Sequence, residues 1–283
     1  MKRKCTAALA AFLCAAMMTG CGDISHASIT PVSREDGSGT RGAFVELFGI
    51  QEKNEAGDKL DMTTDMAEIT NSTAVMLMTV TGNKNAIGYI SMGSMNDAVK
   101  TLEIDGVEAT FENIKNGSYK IARPFNIATK ADASPATQDF INFILSQEGQ
   151  AVVEESGYIS RGNTGVYTPS EAKGNVVVSG SSSVAPVMEK IKEAYEAVNP
   201  NVSIEMQQSD STIGMNSLKE DMCDIGMASR ELKESELEAG LIPTVIAMDG
   251  IAIIVNHENP LDDMSSEEVK EIFKGEIKEW TEL

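Results

Sequence analysis

A short β-branched run, Val176-Val177-Val178-Ser179, ends in Gly180-Ser181-Ser182-Ser183 and leads at once into an amphipathic stretch. Val184, Val187, Met188, Ile191, Tyr195 and Val198 fall on one face of a helical repeat. The spacing therefore predicts a strand, a tight polar turn and a helix over 184–198. Such a unit constrains the chain strongly, because a helix laid on a sheet carries the next strand back parallel to the first. Val202–Met206, Cys223–Met227, Thr244–Ala247 and Ile251–Val255 are further strand candidates. Ser265 and Glu268 form a capping box ahead of Val269, Ile272 and Phe273. Ser134 followed by Pro135 marks another helix start, ahead of Phe140, Phe143 and Ile144. This alternation predicts an α/β fold with an open, mostly parallel sheet and helices on both faces. The polar stretch Gln51–Glu68 reads as a surface excursion, and Arg161–Asn175, with Gly162, Gly165, Pro169 and Gly174, as a linker.

Composition narrows the function classes. At 42% hydrophobic and 23% charged, a 283-residue chain can build real cores and is neither disordered nor a multi-span membrane protein. There are 23 Lys and Arg against 43 Asp and Glu, a net charge of −20. That leaves no basic face for nucleic acid, and most carboxylates read as solvated surface. His26 and His257 are the only histidines, beside four cysteines. Neither a His/Cys metal site nor a nucleophile with a histidine base is supported.

The N-terminus reads MKRKCTAALAAFLCAAMMTGC. Lys2, Arg3 and Lys4 precede an apolar run from Ala7 to Met18, too short to span a membrane comfortably and laid out like a secretory signal. Gly20 before Cys21 resembles a bacterial lipoprotein box, which implies a signal peptide over 1–20, lipidation of Cys21 and a tether over 21–28. Cleavage there leaves 20 basic residues against 43 acidic, a net charge of −23. It also leaves Cys223 as the one remaining thiol, so no internal disulfide framework can form.

Three Gly/Ser-rich turns sit where chemistry is most concentrated. Ser33-Arg34-Glu35-Asp36-Gly37-Ser38-Gly39-Thr40-Arg41-Gly42 precedes the apolar helical run Ala43–Phe48. Glycines admit a ligand close to the backbone, successive N–H groups converge at a helix start, and Arg34 adds a planar fork. No Lys-Ser/Thr pair follows, so this is not a Walker loop. The second turn, Ser179–Val184, and the third, Gln208–Gly214, repeat small hydroxyl residues at strand-to-helix junctions, where open α/β sheets bind ligands. Each alone also fits an ordinary polar turn.

SREDGSGTRGAF (33–44), GSSSVAPVMEKIKEAY (180–195), DIGMASREL (224–232), DGIAIIVN (249–256) and IFKGEIKEW (272–280) together resemble PstS-type proteins. AIGYIS (86–91) and GSYKIARPFNIAT (117–129) fit the same family, the extracytoplasmic phosphate-binding components of phosphate ABC importers. In the usual order the GSSSV turn opens the mature protein and the Arg-x-Asp-Gly-Ser-Gly-Thr element comes mid-chain. Here 174–283 followed by 29–160 restores that order, so the chain reads as a circular permutant whose 161–175 segment joins the old termini. A truncated tandem or a chimera of two neighbours would give the same order.

The resemblance implies a two-lobe, type II periplasmic-binding-protein fold with a two-strand hinge. One lobe would run over 119–252 and the other over 29–118 plus 253–283. It further implies phosphate held by Arg34, Asp36, Ser38, Gly39 and Thr40 from one side, and by Ser182, Ser183, Ser211 and Ser229 from the other. Arg230 is adjacent to Ser229 and offers a second guanidinium. Some members carry Asp where Ser229 stands, to accept the proton of hydrogen phosphate, and that role falls here to Asp36. No catalytic residue, metal or cofactor is implied. The partners implied are inorganic phosphate, the permease subunits of a phosphate ABC transporter, and the membrane through the lipid anchor, with the protein a monomer on the extracytoplasmic face. A binder of another oxyanion (sulfate or molybdate) and a non-transport adhesin or structural lipoprotein are the competing readings.

Cys21→Ala should release the protein into the medium or leave its signal uncleaved. Fractionation of membranes and medium checks this, and a variant that stays lipidated and membrane-bound contradicts the lipoprotein reading.

Overall fold

The structure, a computed structural model, describes residues 28–54 and 59–283. The signal peptide, Cys21 and His26 lie outside the described residues, as do 55–58 of the Gln51–Glu68 stretch. Across the main sheet the strands run Val202–Ser209, Gly174–Ser181, Ile225–Ala228, Ala122–Thr129, Ile242–Val255, Ala86–Ser91, Thr30–Arg34 and Glu68–Thr70. The outer pairings on both wings are parallel. The pairings around the centre are antiparallel. The sheet is therefore mixed, where the alternation of elements predicts a mostly parallel one. The physical reason lies in two strands that carry the chain across the molecule in opposite directions. Ala122–Thr129 leaves one side for the other, and Ile242–Val255 returns beside it, so the two must run antiparallel.

The candidates Thr244–Ala247 and Ile251–Val255 are parts of one strand of 14 residues. Its first part, to Gly250, pairs with Ala122–Thr129, and its second, from Ile251, with Ala86–Ser91. The Ile251 N–H donates to Ile121 C=O at 2.8 Å where the partners change. At Gly250 the ends of the Met92 and Ile114 side chains pack directly on the backbone, and a Cβ there would push them aside.

Two large apolar clusters lie on either side of that crossing. One gathers residues from Ile29 to Ile121 and from Ile251 to Trp280, the other residues from Phe125 to Ala247. In the first, Phe44 stacks on Tyr89 at 3.9 Å between ring centres and meets the edge of Phe273 at 4.7 Å. Each such fully buried ring contributes roughly 1.5–3 kcal/mol. The chain enters this half through a bridge between Ser28 and Glu279, beside an Ile29 N–H to Lys278 C=O bond of 2.7 Å.

Local signals read from sequence reappear as elements. Ser265 and Glu268 cap the helix Ser266–Lys274, and Ser134 caps Pro135–Ile144. The helix Ala185–Val198 buries Val187, Met188, Ile191 and Tyr195. Val198 departs from the expected face, being 45% exposed at the last position, where the helix leaves the sheet. The Gln51–Glu68 stretch holds a small exposed hairpin, Gln51–Lys53 with Lys59–Asp61.

Segment 161–175 is tied down rather than free. The Tyr167 hydroxyl donates to Asp139 Oδ2 at 2.7 Å, an oxygen that also accepts from Tyr195 at 2.7 Å and Asn199 Nδ2 at 2.9 Å. Burial pushes the Asp139 carboxyl up, but these donors outweigh it and hold the group below the ordinary carboxylate range. A carboxyl depressed in the folded state adds stability above its unfolded pKa and loses it as pH falls through the folded value. Asp139→Asn should therefore cost about 2 kcal/mol near neutral pH, with the gap to wild type closing in acid below about pH 4. Urea unfolding across that range checks it, and a gap independent of pH contradicts it.

Candidate functional site

Arg34 ends the strand Thr30–Arg34, and its backbone N–H donates to the Tyr89 phenol oxygen at 3.1 Å. The same phenol meets Ser33 Oγ at 2.8 Å, and burial pushes it up to about 12. The Phe44–Tyr89 stack thereby anchors the end of the strand. Ser38 caps the helix Gly39–Leu47 by accepting the Arg41 N–H at 3.3 Å. Both the Arg34 side chain and the first turn of this helix point toward the other half of the molecule. The Arg34 residue is only 2% exposed.

Opposite stand three polar turns. Ser182 and Ser183 follow the strand Gly174–Ser181, Ser211 opens the helix Ser211–Lys219, and Ser229 follows the strand Ile225–Ala228. Contacts across the divide are short. Thr40 Oγ1 lies 2.8 Å from Ser183 Oγ and 3.5 Å from Ser229 Oγ. Arg34 Nη2 donates to Ser182 Oγ at 3.1 Å. On the far side, Ser181 Oγ donates to Ser229 Oγ at 3.0 Å, and Ser211 Oγ accepts the Ser229 N–H at 3.1 Å. A Cβ at Gly39 would fall on Ser211 Oγ and within 2.7 Å of Ser229 Oγ, so only glycine permits this approach.

Arg34, Gly39, Thr40, Ser182, Ser183, Ser211 and Ser229 thus come together in one buried cluster, with Ser38 beside it as a helix cap. Two predicted residues do not join it. The Asp36 carboxylate is 96% exposed and pairs with Arg41 at 2.8 Å, on the solvent side of the turn. The Arg230 guanidinium is held by both oxygens of Glu236 at 2.8 Å. Sequence reading missed Thr73, which opens the helix Thr73–Gly82 and lies 3.5 Å from Ser182 Oγ and 3.4 Å from Ser183 Oγ. Its signal was the Asn71-Ser72-Thr73 helix start, which carries no glycine to mark it. Glu35 was also missed, and its carboxylate grips Arg34 Nε at 2.7 Å and Nη2 at 2.6 Å.

Behind the cluster lies a buried ion pair on the crossing strands. Arg123 Nη2 meets Asp249 Oδ2 at 3.2 Å, and Arg123 Nη1 donates to the Ser229 carbonyl at 3.0 Å. Ser91 donates to Asp249 Oδ1 at 2.9 Å. Burial pushes the Asp249 carboxyl up to about 6, against the pull of Arg123 and Ser91. One groove of about 570 Å³ flanks the cluster at Thr73, Leu77, Ser182, Pro186 and Met206. Another of about 620 Å³ flanks it at Asp36, Ser38, Arg41, Thr212 and Arg230. Among the described residues, no group of three or more His, Cys, Asp or Glu is placed to hold a metal ion. His257 bonds the Asp97 carbonyl at 2.8 Å in an exposed loop, and Cys223 is buried.

A model described as a PBP superfamily domain matches residues 17–148 and 165–283. Phosphate-binding protein PstS 2 of Streptococcus agalactiae serotype V is 54% identical, over 94% of this chain and 93% of its own. The chain belongs to the PstS-type family. PstS 2 of Streptococcus pneumoniae serotype 4 is 44% identical, over 94% of each chain. A crystal structure of a phosphate-binding protein of a phosphate ABC transporter, from S. pneumoniae TIGR4, matches with TM-score 0.70 at 44% identity. It covers 90% of this chain and 99% of that one. As a PstS-type chain, the protein is an extracytoplasmic solute-binding protein with a type II binding-protein fold, not an enzyme. Because these alignments run nearly end to end, the segment order is shared with its PstS 2 relatives.

Gly39→Ala should overpack the contact between the two halves and cost about 1–3 kcal/mol. Gly42→Ala lies in the same helix with no neighbour closer than 4.0 Å, and should cost nothing. Urea unfolding of the pair checks this, and equal stabilities would contradict it.

Proposed function

We propose that this chain captures inorganic phosphate between two lobes and delivers it to the permease subunits of an ABC importer. The lobes are those read from sequence, 119–252 and 29–118 plus 253–283, with the crossing strands as hinge. The cluster boundaries, between Ile121 and Phe125 and between Ala247 and Ile251, support hinge points within a few residues of these. The N-terminal motif supports a lipid anchor at Cys21 on the extracytoplasmic face, the protein acting as a monomer. No helix of the described residues is long and apolar enough to cross a membrane.

The observation that carries this reading is the buried Arg34 facing hydroxyls from the opposite half. With 20 basic residues against 43 acidic after cleavage, a net charge of −23, the molecule repels an anion at long range. Attraction must come from short, directed bonds in a dry cleft, where each counts for more than in water. A dianion is costly to bury unless its oxygens are met. Arg34, the hydroxyls of Thr40, Thr73, Ser182, Ser183 and Ser229, and the N–H groups at the start of the helix Gly39–Leu47 supply donors from both sides. Closure is then linked to binding. A second reading, a binder of sulfate or molybdate, draws on Ser229, since hydroxyl and guanidinium donors suit a fully deprotonated oxyanion as well.

Arg34→Ala should weaken phosphate binding at least about tenfold, since a hydrogen bond to a charged group contributes roughly 1.5–3 kcal/mol. Arg34→Lys keeps the charge, loses the fork, and should restore binding only in part. Calorimetric titration of phosphate-free protein checks both. Unchanged affinity in a folded Arg34→Ala protein would remove the site, and competition by sulfate or molybdate but not phosphate would favour the second reading.

A further inference from the structure

We propose that Thr212 is a latch that holds the two halves together through protein contacts alone, so that part of the closed state is populated before an anion arrives. The inference rests on the two-lobe reading and goes beyond it, since it does not depend on which anion is bound.

The contact lies at the mouth of the cleft, beside the groove lined by Asp36, Ser38 and Arg230. Gly37 belongs to the half read as 29–118 plus 253–283, and Thr212 to the half read as 119–252. The Gly37 carbonyl accepts two bonds across the divide, from the Thr212 N–H at 3.2 Å and from Thr212 Oγ1 at 3.1 Å. Thr212 is the second residue of the helix Ser211–Lys219. An N–H in the first turn of a helix has no partner within that helix. Asp210 meets the one at Ile213 from its own side at 2.8 Å, whereas the one at Thr212 is met from the opposite half.

Both sides of the contact are set in place. The Ser38 N–H donates to the Glu35 carbonyl at 3.0 Å and closes the turn that carries Gly37. A Cβ at Gly37 would lie 2.5 Å from the Asp210 carboxyl, so the bare backbone rests on the cap of the facing helix. On the other side, Arg230 Nη2 donates to Thr212 Oγ1 at 3.4 Å. A guanidinium can only donate, so the hydroxyl accepts there and its one hydrogen is left for the Gly37 carbonyl. Arg230 is itself fixed by both oxygens of Glu236 at 2.8 Å, and Glu236 also accepts the Lys233 N–H at 2.8 Å. Arg230 thus acts on closure, as a positioning residue for Thr212, rather than on the anion.

Neither Gly37 nor Thr212 belongs to the cluster around Arg34, so their bonds form whenever the halves meet. A contact of that kind raises the closed population of the free protein and slows the opening that must precede release.

Hydrogen exchange at residue 212 in phosphate-free protein reads the latch without a ligand, because Gly37 supplies the partner that the helix itself cannot. The wild-type amide should be protected. Thr212→Val keeps the shape and loses the hydroxyl, and its protection factor at 212 should fall about three- to tenfold. Thr212→Ser should restore it. Thr212→Ala removes the same hydroxyl and should match Thr212→Val, which keeps the test open if the valine variant folds poorly. Release of inorganic phosphate, followed by stopped flow, should quicken by a similar factor in both. An unprotected wild-type amide overturns the latch, as does wild-type protection or a wild-type release rate in the folded valine and alanine variants. If wild-type protein binds no phosphate, the phosphate reading fails on its own, and the exchange measurement still decides the latch.

Discussion

Everything in this molecule hangs on two antiparallel strands that cross from one apolar cluster to the other. Ala122–Thr129 and Ile242–Val255 share a ladder that ends where Gly250 gives way to Ile251, and beyond that point the second strand pairs with Ala86–Ser91. That ladder is the backbone connection that holds the two halves together. Arg123 and Asp249 face each other on this ladder, both buried. A buried pair of this kind adds little net stability but is costly to half-remove. Its second bond, from Arg123 to the Ser229 carbonyl, ties the crossing strands to one of the polar turns.

The polar cluster gathers hydrogen-bond donors from both halves inside an acidic protein. Its guanidinium and hydroxyls are placed by rigid elements, and each turn is braced from behind. Tyr89 holds Arg34, Asp210 caps the helix that presents Ser211, and Ser211 in turn accepts the N–H of Ser229. Groups braced in this way lose little freedom when a ligand arrives, which favours tight binding without a strong global field.

The units with local signals were legible in the sequence. Capping boxes, Pro at a helix start and the helical spacing of apolar residues are written within a few positions of each other, and they mark real elements. The strand-to-helix turns were legible too, because glycine and serine concentrate there for steric reasons. What the sequence could not disclose was set by distant contacts. The antiparallel centre of the sheet follows from the chain crossing twice, which no single segment records. The choice between Glu35 and Asp36 depends on where the strand stops and the turn begins. A shift of one residue sends one carboxylate to Arg34 and its neighbour to solvent. Arg230 is adjacent to Ser229 in sequence, yet Glu236 lies within reach and takes its fork. Thr73 stayed hidden because its turn has no glycine.

The bridge between Ser28 and Glu279 sets where mechanical load enters the fold. A pull on the chain ahead of Ser28 is taken up in shear by that bridge and by the Ile29 to Lys278 bond, within the half that also holds Arg34. The force does not run through the crossing strands. The half that carries Ser182, Ser211 and Ser229 lies on the far side of those strands from the entering chain.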